Sequence, residues 1–216
     1  MDNSSNETLN ITEIFYSLQG EAREVGIPSV FVRLTGCPLR CNYCDTTYAF
    51  KGNNPQTIEG IIKQIELYNT KHVCVTGGEP LAQKNCHILL DSLVEKGYRV
   101  SLETSGSIDI APVNKGVSVV MDIKTPSSTE ARQNRYKNIA LLKAKDQLKF
   151  VIASREDFAW CCELLEKHNT KAEVLFSPVY ESLNPTELAE WILEKQLNVR
   201  LQLQLHKILW GEAKGK

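Results

Sequence analysis

The sequence predicts an α/β fold: an incomplete, modified βα (TIM-like) barrel of about six parallel strands. Three observations carry this. Short runs rich in β-branched and aromatic residues alternate with stretches whose apolar residues recur at helical spacing, as in βα units joined by right-handed crossovers. Only about a dozen residues separate the third run from the fourth, too few for a full crossover helix and so for a complete eight-unit barrel. The polar motifs follow directly on the strands, where parallel sheets hold their ligands.

The elements can be taken in order. Residues 1–10 are polar and are expected to be flexible. Residues 11–16 alternate apolar and polar side chains and predict a short strand. Leu18-Gln19-Gly20-Glu21 reads as a loop with a tight turn at Gly20. The first parallel strand is predicted over 29–34, ended by Gly36. Arg33 is a charged side chain in this buried run and needs a partner, either a substrate carboxylate or Glu21. The residues between Phe50 and Pro55 read as a polar loop, and Thr57 caps a helix with Ile58, Ile61, Ile62, Ile65 and Tyr68 on one face. Further strands are predicted over 72–76, 99–104, 117–123, 147–153 and 173–176. Helices are predicted over 81–96, from a Ser154 cap to 168, and from Asn184-Pro185-Thr186-Glu187 onward. The charged segment 127–145 reads as partly helical.

Composition excludes several classes. Apolar residues make up 42% and charged residues 24%, as in ordinary globular chains. The 25 basic and 26 acidic residues leave a net charge of −1, which gives no drive toward direct nucleic-acid binding. No stretch is long and apolar enough for a transmembrane helix, so no membrane association is expected. The polar, acidic start is unlike a secretory signal. Seven cysteines, an odd number, then point to a reducing cytoplasm.

Three of those cysteines carry the chemistry. Cys37, Cys41 and Cys44 lie in a C-x3-C-x2-C spacing on the loop that leaves the first parallel strand. Three cysteines so close can hold three irons of a [4Fe–4S] cluster, leaving the fourth iron for an outside ligand. A structural zinc site completed by a distant Cys or His, or three unrelated buried cysteines, are the alternatives on spacing alone. Cys74, Cys86, Cys161 and Cys162 read as core or surface fillers. Downstream, Gly77-Gly78-Glu79-Pro80 follows the next strand. Its glycines permit close backbone approach, and Glu79 offers a carboxylate for an ammonium group. By itself this motif reads rather as a helix entry with proline at the first position.

The cysteine stretch resembles the radical S-adenosylmethionine (SAM) superfamily, and Gly77-Gly78-Glu79 resembles its SAM-binding GGE motif. The resemblance implies that residues 1–216 form one radical SAM domain. It implies that SAM chelates the open iron and is cleaved by one electron to methionine and a 5′-deoxyadenosyl radical. Leu18-Gln19-Gly20-Glu21, Arg33, Cys44-Asp45-Thr46, Thr76-Gly77-Gly78-Glu79-Pro80 and Glu103-Thr104-Ser105-Gly106 narrow the match. Together they resemble the 7-carboxy-7-deazaguanine synthase family over most of the chain. That family contracts the ring of 6-carboxy-5,6,7,8-tetrahydropterin with loss of ammonia, toward queuosine and related 7-deazapurines.

Carried over by position, Leu18, Gln19, Gly20, Arg33 and Thr76 would contact the pterin, and Cys37, Cys41 and Cys44 would hold the cluster. Thr46 would bind Mg²⁺; Gly78, Glu79 and Ser105 would face SAM. Asp122, Ile123 and Lys124 occupy a further SAM-contacting segment, where the family often has serine–proline–lysine. In some members the C-terminal carboxylate reaches the substrate. Here residues 210–216 follow Gln204-Leu205-His206-Lys207, so that role is not carried over and His206 is the candidate in its place. The family is usually homodimeric and needs a flavodoxin- or ferredoxin-like electron donor. A radical SAM enzyme that activates a glycyl-radical partner is the nearest rival, and a non-enzymatic iron–sulfur or zinc module the more distant one.

Overall fold

Alternating β-branched runs and amphipathic helices build one mixed sheet in the computed structural model, which describes residues 7–216. In chain order the elements are β1 (Thr8–Leu18), β2 (Pro28–Leu34), β3 (Pro55–Thr57), α1 (Ile58–Ile65), β4 (His72–Gly77), α2 (Cys86–Glu95) and β5 (Arg99–Thr104). Then come β6 (Ser118–Ile123), β7 (Gln147–Ile152), α3 (Arg155–Lys167), β8 (Glu173–Pro178), α4 (Pro185–Glu194), β9 (Arg200–Leu201) and α5 (Leu205–Trp210). The nine strands run in the order β3-β1-β2-β4-β5-β6-β7-β8-β9, so the two ends of the sheet do not meet and the barrel stays open. From β2 to β9 every neighbour is parallel. β1 and β3 are antiparallel additions at one edge. The parallel set therefore exceeds the six expected strands by β9, whose two residues are too short to show a period.

The helices form where the apolar spacing calls for them. α1 buries Ile58, Ile61, Ile62 and Ile65, and the Thr57 hydroxyl accepts from the Gly60 N–H at 3.1 Å. Each such isoleucine contributes roughly 1.5–3 kcal/mol by leaving water. α3 is capped by Ser154, and α4 by Asn184 with Pro185 at its first position. Among the described residues no helix is long and apolar enough to cross a membrane.

Three sequence expectations change. Thr8–Asn10 are not flexible but pair with Pro55–Thr57, because Leu9 is buried at 1% exposure and ties the edge down. Residues 1–6 lie outside the described residues. The polar loop expected between Phe50 and Pro55 ends where β3 begins. The helix expected from 81 starts only at Cys86. The Gln83 amide donates to the carbonyls of Asn10 and Thr35, both at 2.9 Å, which holds that residue in extended backbone. Segment 127–145 contains no α-helix; 3₁₀ turns at Pro126–Ser128, Ala131–Gln133 and Tyr136–Leu141 replace it. Buried Asn138 explains the last of these. Its amide donates to the Gly106 carbonyl at 3.0 Å and the Ile108 carbonyl at 2.7 Å, bracing the helix-free β5–β6 connection.

Candidate active site

The loops leaving the C-terminal ends of β2, β4, β5, β6 and β8, together with Lys149 and Val151 of β7, contribute to one cleft of about 590 Å³, a size that suits small-molecule ligands. Cys37, Cys41 and Cys44 line it from the loop after β2. That loop is held at several points. The Gly36 N–H donates to the Ala49 carbonyl at 2.8 Å and the Asn42 N–H to the Ser128 carbonyl at 3.2 Å. The Arg40 guanidinium donates to the carbonyls of Cys37 and Leu39 and lies over the Phe50 ring. All three thiols are free and half-buried. Burial pushes each of them up, Cys41 to about 11, against the opposing charge of Lys124. Among the described residues no three His, Cys, Asp or Glu side chains are gathered closely enough for a single metal ion. A cubane cluster makes a different demand, one thiolate on each of three irons. Three thiols spread along one wall beside a buried cation fit that group.

The second wall is Gly77-Gly78-Glu79. Here backbone meets backbone: the Gly78 N–H donates to the Leu34 carbonyl at 3.1 Å, and the Glu79 N–H to the Gly36 carbonyl at 2.8 Å. A Cβ at Gly78 would overlap the Gly36 carbonyl and the Cys37 Cβ, so only glycine lets β4 lie this close to the cysteine loop. Glu79 itself departs from expectation. Its carboxylate does not face the cleft; the side chain is fully buried. It accepts from the Leu81 N–H at 3.0 Å, the Thr104 hydroxyl at 2.9 Å, the Ser105 N–H at 2.7 Å and the Ser105 hydroxyl. Ser105 and Gly78 do line the cleft.

The remaining predicted residues divide. Leu18, Gln19, Gly20, Arg33, Thr46, Thr76, Asp122, Lys124 and His206 all line the cleft. Ile123 does not: it is fully buried in the hydrophobic core, because alternation along β6 turns it away from its two neighbours. Arg33 is paired with Glu13, Nε to Oε1 at 2.7 Å, and not with Glu21. Desolvation works against its charge, but Glu13, Tyr48 and Glu103 together more than offset that and hold the guanidinium protonated. Lys124 is largely shielded and paired with Asp122 at 3.0 Å; burial lowers its pKa, and Asp122, Cys41 and Tyr43 together raise it by more. The Thr46 hydroxyl donates to the Asp45 carboxylate at 2.8 Å. His206, from α5, sits so close over Gly20 that any side chain there would collide with the imidazole.

Several cleft residues make interactions that the sequence did not assign. Glu103 accepts from the Thr76 hydroxyl at 2.8 Å and the Gln19 amide at 3.4 Å. Lys149 forms a buried ion pair with Glu21, whose other oxygen accepts from the Gln204 amide at 2.8 Å. Burial alone would raise the Glu21 carboxyl; Lys149 and Gln204 instead hold it below the usual carboxylate range. The Tyr43 hydroxyl lies 3.1 Å from the Thr125 hydroxyl, and burial pushes its pKa up to about 12. A usable signal existed for Lys149 and Glu103. Each is a charged side chain inside an apolar strand, the same anomaly that marks Arg33.

The comparisons agree with this geometry. The family model described as Radical SAM superfamily matches residues 31–192. A protein of Koribacter versatilis named 7-carboxy-7-deazaguanine synthase is 40% identical, covering 96% of this chain and 100% of its own length. One of the same name from Chlorobaculum tepidum is 41% identical, covering 98% and 99%. The crystal structure of QueE from Escherichia coli superposes with a TM-score of 0.77 at 23% identity, over 91% of this chain and 94% of that one, a likeness of fold. With this cleft, and with relatives matching it nearly end to end, the chain belongs to the radical SAM superfamily and, within it, to the 7-carboxy-7-deazaguanine synthase family.

Proposed function

We propose that this protein converts 6-carboxy-5,6,7,8-tetrahydropterin to 7-carboxy-7-deazaguanine with loss of ammonia, a carbon–nitrogen lyase reaction on the route to queuosine and related 7-deazapurines. The observation that carries the reading is convergence. Gln19, just after β1, and Arg33, Thr76 and Glu103, from β2, β4 and β5, meet in the cleft that the three cysteines border. When bound, the cluster and SAM would supply one-electron chemistry that removes a hydrogen atom from the substrate carbon bearing the carboxylate. The chain's own residues supply placement. Arg33 keeps its charge in a half-buried position and would pair with the substrate carboxylate through charge-assisted hydrogen bonds. Glu103, already accepting from Thr76, would take the N–H groups of the pterin's aminopyrimidinone edge, and Gln19 would orient that carboxylate. Near-full-length likeness to the synthases favours this reaction over glycyl-radical activation or a structural zinc module.

Mg²⁺ belongs to the same reading. Its support here is the donor set: the Thr46 hydroxyl spends its proton on Asp45, so its lone pairs stay free for a hard cation. Burial works against the Asp45 charge, yet the Thr46 hydrogen bond and Lys149, Lys207 and His206 keep the carboxyl low and ionised. A flavodoxin- or ferredoxin-like reductant, a homodimer and a cytoplasmic location complete the proposal. Anaerobic incubation of cluster-loaded protein with SAM, reductant and the carboxylated pterin, followed by mass spectrometry, tests it. The expected product has lost ammonia, with Mg²⁺ stimulation that Thr46→Ala largely abolishes. SAM cleavage with the pterin unchanged would overturn the assignment.

A further inference from the structure

The connection from β1 to β2 is longer than a hairpin needs. Hairpin loops usually run about 2–5 residues, and this one occupies residues 19–27. Its base is closed: the Gln19 N–H donates to the Ile27 carbonyl at 2.9 Å and the Gly26 N–H to the Gln19 carbonyl at 2.8 Å. Beyond that base the chain leaves the β1–β2 edge and docks on the far side of the open barrel. The Gly20 carbonyl accepts from the Leu205 N–H at 2.9 Å. Glu21 meets Lys149 of β7 and Gln204, just before α5. The Arg23 N–H donates to the side-chain carbonyl of Gln147, also of β7, at 2.9 Å. Between Glu21 and Arg23, Ala22 is fully buried in left-handed backbone at φ 64°, a conformation unfavourable for alanine. Docking, and not local preference, therefore sets the shape of this loop.

Lys149 is the centre of that docking. Its ammonium donates to Glu21 Oε2, and both side chains are largely shielded from water. Burial works against the Lys149 charge, while Glu21, Asp122 and Glu103 together hold it on. Glu21 Oε1 accepts from the Gln204 amide, so the carboxylate is fixed at both oxygens. Its backbone passes the constraint on. The Glu21 N–H donates to Gln19 Oε1 at 3.3 Å, and Gln19 Nε2 donates to Glu103 Oε1 at 3.4 Å. Glu103 Oε2 accepts from the Thr76 hydroxyl at 2.8 Å. A chain of contacts thus runs from Lys149 through Glu21 and Gln19 to Glu103 and Thr76, and all five residues line the cleft. Stability alone does not call for an ion pair here, because an apolar pair of similar volume often serves a buried position as well. A charged, hydrogen-bonded pair adds a fixed direction for the carboxylate.

We propose that Lys149 is a positioning residue for the pterin: by fixing Glu21 it holds Gln19 and Glu103 in the arrangement that takes the substrate, without touching the substrate itself. Resting on the pterin reading of the cleft, this role separates two quantities that a purely structural pair would move together, fold stability and pterin affinity.

Pterin affinity decides it, measured by anaerobic calorimetry on the oxidised, cluster-loaded protein with SAM and Mg²⁺ present, so that no turnover occurs. The variants are Lys149→Met, Glu21→Gln and the two together, and the probe is 6-carboxy-5,6,7,8-tetrahydropterin. Each single substitution is expected to weaken pterin binding by about tenfold or more, the scale of one hydrogen bond to a charged group. The double variant leaves neither charge of the pair alone, so it should regain most of the thermal stability. Its pterin affinity should stay reduced, yet be no weaker than that of the weaker single variant. SAM affinity and iron content should remain at the wild-type level in every form. Wild-type pterin affinity in the double variant would make the pair structural only. Losses that multiply would mean that Lys149 touches the pterin directly, and a matching loss of SAM affinity would mean a general collapse of the cleft; each of the three overturns the proposal. Should Lys149→Met fail to fold alone, Glu21→Gln against the double variant still decides: equal losses are expected, and a further loss on removing Lys149 sinks the idea. Wild-type protein that binds SAM but not the pterin would overturn the substrate assignment itself, an outcome separate from these.

Discussion

The cysteine loop after β2 and the strand-end wall formed by Gly78, Glu79 and Ser105 sit against each other, yet they are built on opposite rules. The loop leaves its reactive groups open: Cys37, Cys41 and Cys44 are half-buried and free. The wall closes its reactive group in: Glu79 is fully buried and its carboxylate accepts hydrogen bonds on both oxygens. Backbone hydrogen bonds from Gly78 and Glu79 to Leu34 and Gly36 join the two. Two motifs that look alike in a sequence therefore do different work. In the proposed reading the first would ligate, and the second would hold the first in place.

The sharpest break of this contrast is at the cysteines. Cys37→Ala, Cys41→Ala and Cys44→Ala should each abolish iron loading. Cys74→Ala, Cys86→Ala and Cys162→Ala should retain it, because these side chains lie away from the cleft. Iron and sulfide analysis checks this, and iron surviving the loss of Cys41 would remove the ligand assignment.

A second, smaller effect concerns the other closed-in carboxylate, Glu21. Lys149→Met removes its buried partner and should cost about 3–5 kcal/mol, the usual cost of leaving one buried charge alone. Adding Glu21→Gln should recover much of that. The sign with pH follows from the lowered Glu21 pKa. This contribution is present above the unfolded-state pKa and is lost as pH falls through the lower folded-state value. Wild type should then lose more stability across the acid limb than the double variant does. Denaturant unfolding at several pH values measures both, and parallel acid limbs would contradict the pairing.

The smallest effect compares two threonines directly. Thr104→Val deprives buried Glu79 of a donor and should cost about 1–3 kcal/mol, whereas Thr46→Val, on the open loop, should stay within about 0.5 kcal/mol. Equal costs would erase the distinction between wall and loop.

Much of the architecture was legible because period and punctuation are local. β5 was bounded to the residue, and α3 and α4 were marked by Ser154 and by Asn184-Pro185. β3 and β9 were not legible, since three and two residues show no alternation and exist only through their neighbours. The site divides in the same way. The cysteine spacing and the two glycines are short-range patterns and could be read directly. The Glu21–Lys149 pair joins residues 128 positions apart, which no local pattern reveals. The direction of the Glu79 side chain was hidden for another reason. At a strand end the same residue can face a ligand or turn back onto the backbone, and the donors that decided it, Thr104 and Ser105, come from the next strand.

Electron paramagnetic resonance of the reduced, cluster-loaded protein, recorded with and without SAM, tests the central claim most directly. If three cysteines hold the cluster and leave one iron for SAM, the wild-type spectrum of a reduced [4Fe–4S] centre should shift when SAM is added. Cys41→Ala should give no such spectrum at all. A wild-type signal that SAM leaves unchanged, or protein that binds zinc in place of iron under anaerobic reconstitution, would contradict the account.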